Sequence, residues 1–169
     1  GNNDVPGCMV ANAVSTYIHR YGVVPGNELV LMTSNDNAYR TALDWHDAGR
    51  KVVAIVDSRK NPQGTFVDAA RERGINIMVG SGVIEAQGNK RVSSVSIAPL
   101  NEAGDAVVGP AVKMTADTVA TSGGWSPVVH LSCHTGARPV WNDDILGFVP
   151  GATVQKQLTA GAINGAFST

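Results

Sequence analysis

Hydrophobic and polar positions alternate with changing period along this chain, and each change marks an element. Met9, Val10, Ala13, Val14, Tyr17 and Ile18 recur at helical spacing, which predicts an amphipathic helix ending at Gly22. After the Pro25-Gly26-Asn27 turn, Glu28 to Met32 leaves no polar face, as expected of a parallel strand covered on both sides. Asp36 to Ala48 reads as a helix with Ala38, Ala42, Leu43 and Trp45 on its packed face, Asp36 as its N-cap and Gly49 past its end. A second strand, Lys51 to Val56, is apolar throughout its Val52 to Val56 core and stops at Asp57. A helix over Thr65 to Arg73 and a short strand over Ile75 to Val79 complete a β-α-β-α-β alternation.

From Gly82 to Val108 the period becomes two, with Val92, Val95 and Ile97 on the inner face and a hairpin turn at Asn101 to Gly104. Asp117 to Ala120 returns as a strand and runs into the glycine-rich crossing from Thr121 to Pro127. Val154 to Thr159 reads as a strand leading into a small-residue loop. The fold class implied is α/β: a Rossmann-like three-layer domain of the ββα/βαβ kind, with a central parallel sheet and a small antiparallel insertion. No repeat or low-complexity tract is present.

Composition narrows the function. With 169 residues the chain has room for one good core plus appendages. Charged residues make up only 16%, low for a soluble domain, as if part of the surface is normally covered. The 13 basic and 14 acidic side chains nearly cancel, so no broad field draws in nucleic acid or an anionic membrane. No apolar run approaches the roughly 20 residues of a membrane span, and the chain reads as cytoplasmic. Cys8 and Cys133 stand far apart, which gives no disulfide framework and no dithiol centre. A chain that opens on Gly1 rather than Met reads as a processed or excised piece.

The candidate chemistry is sparse. Asp57 lies 24 residues after Thr33, close to the spacing at which a dinucleotide fold places its ribose-binding acid. The turn between them, Thr33 to Ala38, lacks the glycines that admit a pyrophosphate, and Asp36 sets a negative charge where phosphate would lie. This reads as a degenerate scaffold rather than a working site. The loop from Ala160 to Thr169 has two readings: a cradle of backbone amides for a phosphate, or an ordinary close-packed turn. His130, Cys133 and His134 cluster but lack a fourth metal ligand. Ser132, His130 and Asp143 can be written as a hydrolase triad, yet there is no nucleophile elbow. Trp45, Trp125 and Trp141 read as core or interface anchors.

Four stretches carry a family resemblance: Gly1 to Met9, Ala38 to Ala42, Ser122 to Leu131 and Phe148 to Gly151. With these the chain resembles the alpha subunits of heterotetrameric sarcosine oxidases and their relatives among opine oxidases and cyanide synthases. The resemblance implies a fold like that of the pyridine nucleotide-disulfide oxidoreductases, in which one Rossmann-like domain is inserted into another. Residues 1–22 would then be the outgoing crossing and its helix, 23–125 the inserted domain, and 126–169 the return into an outer nucleotide-binding domain. It further implies NAD held by the alpha subunit, with contacts carried over to Ala162, Phe167 and Thr169 in a loop shaped by Gly161, Asn164 and Gly165. No catalytic residue is carried over. The parent oxidase would demethylate sarcosine to glycine, releasing hydrogen peroxide and passing the one-carbon unit to tetrahydrofolate. FAD and FMN would be present in the complex, alongside beta, gamma and delta subunits. Two other readings compete. An independent NAD-linked dehydrogenase needs a working pyrophosphate turn, and a non-catalytic docking module needs only the low-charge surface.

Overall fold

Four consecutive apolar residues, Leu29 to Met32, can be buried only if a layer covers each face of their strand. In a computed structural model, which describes residues 1–167, both layers are present. Strand β2 (Glu28–Thr33) is the middle of a five-stranded, wholly parallel sheet with β1 (Cys8–Val10), β3 (Lys51–Asp57), β4 (Ile77–Val79) and β8 (Thr118–Ser122), in the order β1-β8-β2-β3-β4. Alternate residues face opposite layers. Leu29, Leu31, Ile55 and Ala120 pack against the helices α1 (Ala11–Tyr21), α2 (Asn37–Asp47) and α3 (Thr65–Glu72). Val30, Ala54, Val56 and Val119 pack against an antiparallel meander of β5 (Ser81–Gly88), β6 (Val92–Pro99) and β7 (Val112–Thr115). The architecture is the expected α/β three-layer arrangement.

The meander answers a parity problem in the sequence. Val92, Val95 and Ile97 do not share one period-two face, yet all three are buried. A register shift between Gln87 and Gly88, opposite Ser93, inserts one residue and turns Val92 inward with the others. The Asn101 turn also forms, closed by the Asn101 side-chain carbonyl, which accepts from the Asp105 and Ala106 N–H groups.

Three expectations are corrected. The first helix begins at Ala11 rather than Met9, because Cys8 to Val10 pair in parallel with Val119 to Thr121 and form an edge strand. Asp36 does not cap α2. Its backbone is already helical, and the Ala38 N–H donates instead to Asn35 Oδ1 at 3.2 Å. Val154 to Thr159 is not a strand. No neighbouring strand offers it a ladder, and Val154 and Leu158 point into solvent.

One carboxylate secures the entrance to the sheet. Asp117, just before β8, accepts from the N–H groups of Asn27 (2.9 Å) and Glu28 (3.0 Å) and from the Thr118 hydroxyl (3.1 Å). The backbone approaches so closely that a Cβ on Gly26 would lie 2.4 Å from Asp117 Oδ1. Burial pushes this carboxyl up, but the two N–H donors and the hydroxyl outweigh it and hold it below the ordinary carboxylate value.

The chain divides into two compact units, the first ending at Gly123 and the second beginning at Gly124. Within the second lie α4 (His130–His134), a hairpin of β9 (Val140–Asn142) and β10 (Gly147–Val149), and a single 3₁₀ turn, Gly161–Asn164. Its apolar side chains are largely uncovered, including Leu131, Leu146 and Leu158, while Trp141 and Phe148 meet edge to face on the hairpin at 5.2 Å.

Asp117→Asn is expected to lower unfolding free energy at pH 7 by about 1–2 kcal/mol, since charge-assisted hydrogen bonds are replaced by neutral ones. A depressed native pKa contributes stability above the unfolded value of about 4 and loses it as pH falls through the native value. In urea titrations the difference between the two proteins should therefore begin to shrink below about pH 4 and close only once the pH has fallen past the lower native value.

Candidate functional site

In open parallel sheets ligands bind outside the carboxyl ends of the strands, where connections leave in opposite directions. Here that place lies between β2, which continues into α2, and β8, which leaves the unit. A cavity of about 300 Å³ is present there, bordered by Met32 and by the hydroxyl residues Thr33, Ser34, Ser58, Thr121 and Ser122. No charged side chain lines it.

The residues expected to hold a dinucleotide are all engaged with one another. Asp57, at the end of β3, is completely buried. Its Oδ1 accepts from the Arg59 N–H (2.9 Å) and Arg59 Nε (3.1 Å), and its Oδ2 from the Tyr39 hydroxyl (2.8 Å) and Arg59 Nη2 (2.8 Å). Four donors use up the lone pairs that a ribose hydroxyl would need. Arg59 then reaches across to Asp36, with Nη1 2.7 Å from Oδ1. Its guanidinium is held firmly charged, chiefly by the hydrogen bonds it donates to Asp57, and burial followed by the hydrogen bond to Asp57 pushes the Tyr39 phenol well above its ordinary value.

The helix N-terminus is closed in the same way. Asn35 Oδ1 occupies the Ala38 N–H, while Asn35 Nδ2 donates to Ser122 Oγ at 2.9 Å and so ties the turn to the end of β8. The Asn35 N–H is itself bonded to Thr33 Oγ1 at 3.0 Å. These residues do not fit a pyrophosphate: the acid is saturated, an amide side chain sits over the helix end, and no cation faces the cavity. Tyr39 and Arg59 were not legible as part of this cluster, although an arginine two residues past a strand-terminal acid is the arrangement that lets it fold back onto that acid.

The remaining candidates lie in the second unit. Gly161 and Gly165 take left-handed backbone at φ 73° and 81°, on either side of Ala162 and Asn164. A Cβ on Gly161 would meet nothing within 4 Å, whereas one on Gly165 would strike Ile145. Asn164 Nδ2 donates to the Thr159 carbonyl at 2.7 Å and braces the loop, and Ala162 and Phe167 are exposed. Thr169 lies outside the described residues. His130, Cys133 and His134 share α4, but no group of three metal-ligating side chains assembles among the described residues. Ser132 is buried with Gln157 Nε2 on its hydroxyl, and Asp143 accepts from Trp141 Nε1, so no triad forms from them. Trp45 is core; Trp125 and Trp141 are about half exposed.

No protein-family model matches the chain. It is 38% identical over 170 residues to sarcosine oxidase subunit alpha of Corynebacterium sp. (strain P-1), covering 99% of this chain and 17% of that protein. To the subunit of the same name from Rhizobium meliloti (strain 1021) it is 34% identical over 163 residues, covering 96% and 15%. The chain is homologous to one segment of sarcosine oxidase alpha subunits. It spans only 15–17% of the length of those subunits. Among solved structures, L-proline dehydrogenase from P. horikoshii superposes with a TM-score of 0.57 at 14% identity, over 94% of this chain and 24% of that one. An FAD-dependent pyridine nucleotide-disulphide oxidoreductase from Desulfovibrio vulgaris gives 0.53 at 16%, over 80% and 34%. Identities this low establish the fold alone: a Rossmann-type fold shared with these oxidoreductases. In this chain, the place where such a fold binds its dinucleotide is filled by the chain's own side chains.

Removing a donor from Asp57 leaves a buried charge short of partners. Arg59→Ala is expected to cost about 3 kcal/mol and Tyr39→Phe about 1–3 kcal/mol of unfolding free energy, read by urea denaturation. Equal stability in all three proteins would mean that the cluster does not hold the turn.

Proposed function

We propose that this chain is the nucleotide-binding-fold region of the alpha subunit of a sarcosine oxidase, serving there as a scaffold and having no activity alone. The parent complex oxidatively demethylates sarcosine to glycine with O₂, giving hydrogen peroxide and methylene-tetrahydrofolate. FAD and FMN belong to that complex, and beta, gamma and delta subunits complete it. Residues 23–125 form the inserted domain, residues 1–22 lead into it, and residues 126–169 return to an outer domain. NAD is held by that outer domain, with Ala162, Phe167 and Thr169 as contacts and Gly161, Asn164 and Gly165 shaping their loop.

The observation that carries the scaffold reading is the saturation of Asp57 by Tyr39 and Arg59. A ribose would have to displace an ion pair whose carboxylate is fully buried, at a cost that its own two hydroxyls do not offset. What supports the loop assignment is the open space over Gly161 and the brace from Asn164 to Thr159. The turn accordingly holds the first βαβ unit rigid and takes no part in redox chemistry.

Calorimetric titration of the purified chain with NAD⁺, beside an Asp57→Ala variant, tests this. The expected result is no heat beyond dilution for either protein while circular dichroism reports folded chains. Saturable micromolar binding that disappears in Asp57→Ala would make the Thr33 to Ala38 turn a working site and end the scaffold reading.

A further inference from the structure

We infer that the groove between α1 and α2 is a docking surface for an acidic segment of a partner polypeptide. It is an open channel of about 470 Å³ on the outer side of the helical layer. Asn12, Thr16 and Arg20 recur every fourth residue and form one wall from α1; Asn37, Arg40 and Asp44 form the other from α2. The floor is closed by the Ser15 and Thr41 hydroxyls, 2.9 Å apart.

The charge of this channel is lopsided. Asp44 is the only acid lining it, and its Oδ2 already accepts from Ser15 Oγ (3.1 Å) and lies 2.9 Å from His19 Nε2. Arg20 and Arg40 have no carboxylate partner among the described residues, whereas Lys51, Arg59, Lys60, Arg71 and Arg73 each pair with an acid; Arg50, Lys90, Arg91 and Lys113 are likewise without an ion pair but do not line this channel. Arg20 instead lies over the Tyr21 ring at 5.7 Å, and Tyr17 and Tyr21 pair at 5.8 Å with both rings substantially exposed. Helix α1 carries no acidic residue at all. Tyrosine and arginine are the residues that dominate binding energy at protein interfaces, and two unpaired guanidiniums favour carboxylates, which they can grip in bidentate fashion.

Length argues for a polypeptide over a single small anion. From Asn12 to Arg20 the wall runs about 12 Å along the helix, the span of roughly four extended residues. A lone phosphate would fill one end and leave the other arginine unused. The inference rests on this surface and is independent of the oxidase reading: the NAD⁺ titration and the assay below succeed or fail separately.

The probe is a fluorescein-labelled octaglutamate peptide, followed by anisotropy at low salt with the whole chain. Saturable binding is expected, weakening as salt is added. Arg20→Glu/Arg40→Glu should raise Kd by more than about tenfold, whereas Lys90→Glu/Lys113→Glu, which alters net charge equally at exposed sites elsewhere, should leave it within about twofold. If the first double variant does not fold by circular dichroism, Arg20→Gln/Arg40→Gln replaces it with the same expected direction. No saturable binding to the unaltered chain, or an equal loss in both double variants, overturns the inference. Displacement of the peptide by inorganic pyrophosphate at concentrations comparable with the peptide's Kd would also overturn it, because the groove would then be a small-anion site.

Discussion

A carboxylate with no access to water must be surrounded by donors, and the first βαβ unit is arranged around meeting that demand at Asp57. Its four hydrogen bonds come from α2 through Tyr39 and from the loop after β3 through Arg59. Because Arg59 also reaches Asp36, the end of β3 and the start of α2 are bound into one ionic cluster. The acid at the strand end where a dinucleotide domain places its ribose-binding carboxylate is here held by four donors of the chain itself.

The layers follow from a second constraint, the unbroken apolar run Leu29 to Met32 in β2. Leu29 and Leu31 require the helices, Val30 requires the meander, and neither layer is optional once the strand is central. The second unit lacks such closure. Its hairpin and loops leave Leu131, Leu146 and Leu158 uncovered, which accords with the low fraction of charged residues in the chain and with its spanning a small part of the related subunits.

Much of the fold was legible because a parallel strand buried on both faces writes itself as an unbroken apolar run, as β2 and β3 do. The acid spacing was equally plain, and the missing glycines pointed to a closed turn. What closes it was not legible, since the partners of Asp57 depend on a guanidinium folding back two residues and on a tyrosine in the first turn of α2. The edge strand Cys8 to Val10 was hidden because Met9 and Val10 fit the helical period of the segment that follows. Val154 to Thr159 misled for the opposite reason: β propensity without a neighbouring strand yields only extended loop. At the Gly161 loop, a run of small residues describes a cradle and a turn alike, because both are built on left-handed glycines such as Gly161 and Gly165.

The strand order carries a consequence for how such a chain is made. Leu29 to Thr33 pair on one side with Val52 to Asp57 but on the other with Thr118 to Ser122, and Cys8 to Val10 wait for Val119 to Thr121. During synthesis the central strand therefore keeps an apolar, unpaired edge exposed until nearly all of the first unit has been made, and the strand Cys8 to Val10 can join only after that. Until residues 118–122 are made, the first unit can exist only as a half-sheet, the state most open to pairing with a neighbour, and the strand that completes it is held in place by Asp117 on the Asn27 and Glu28 amides.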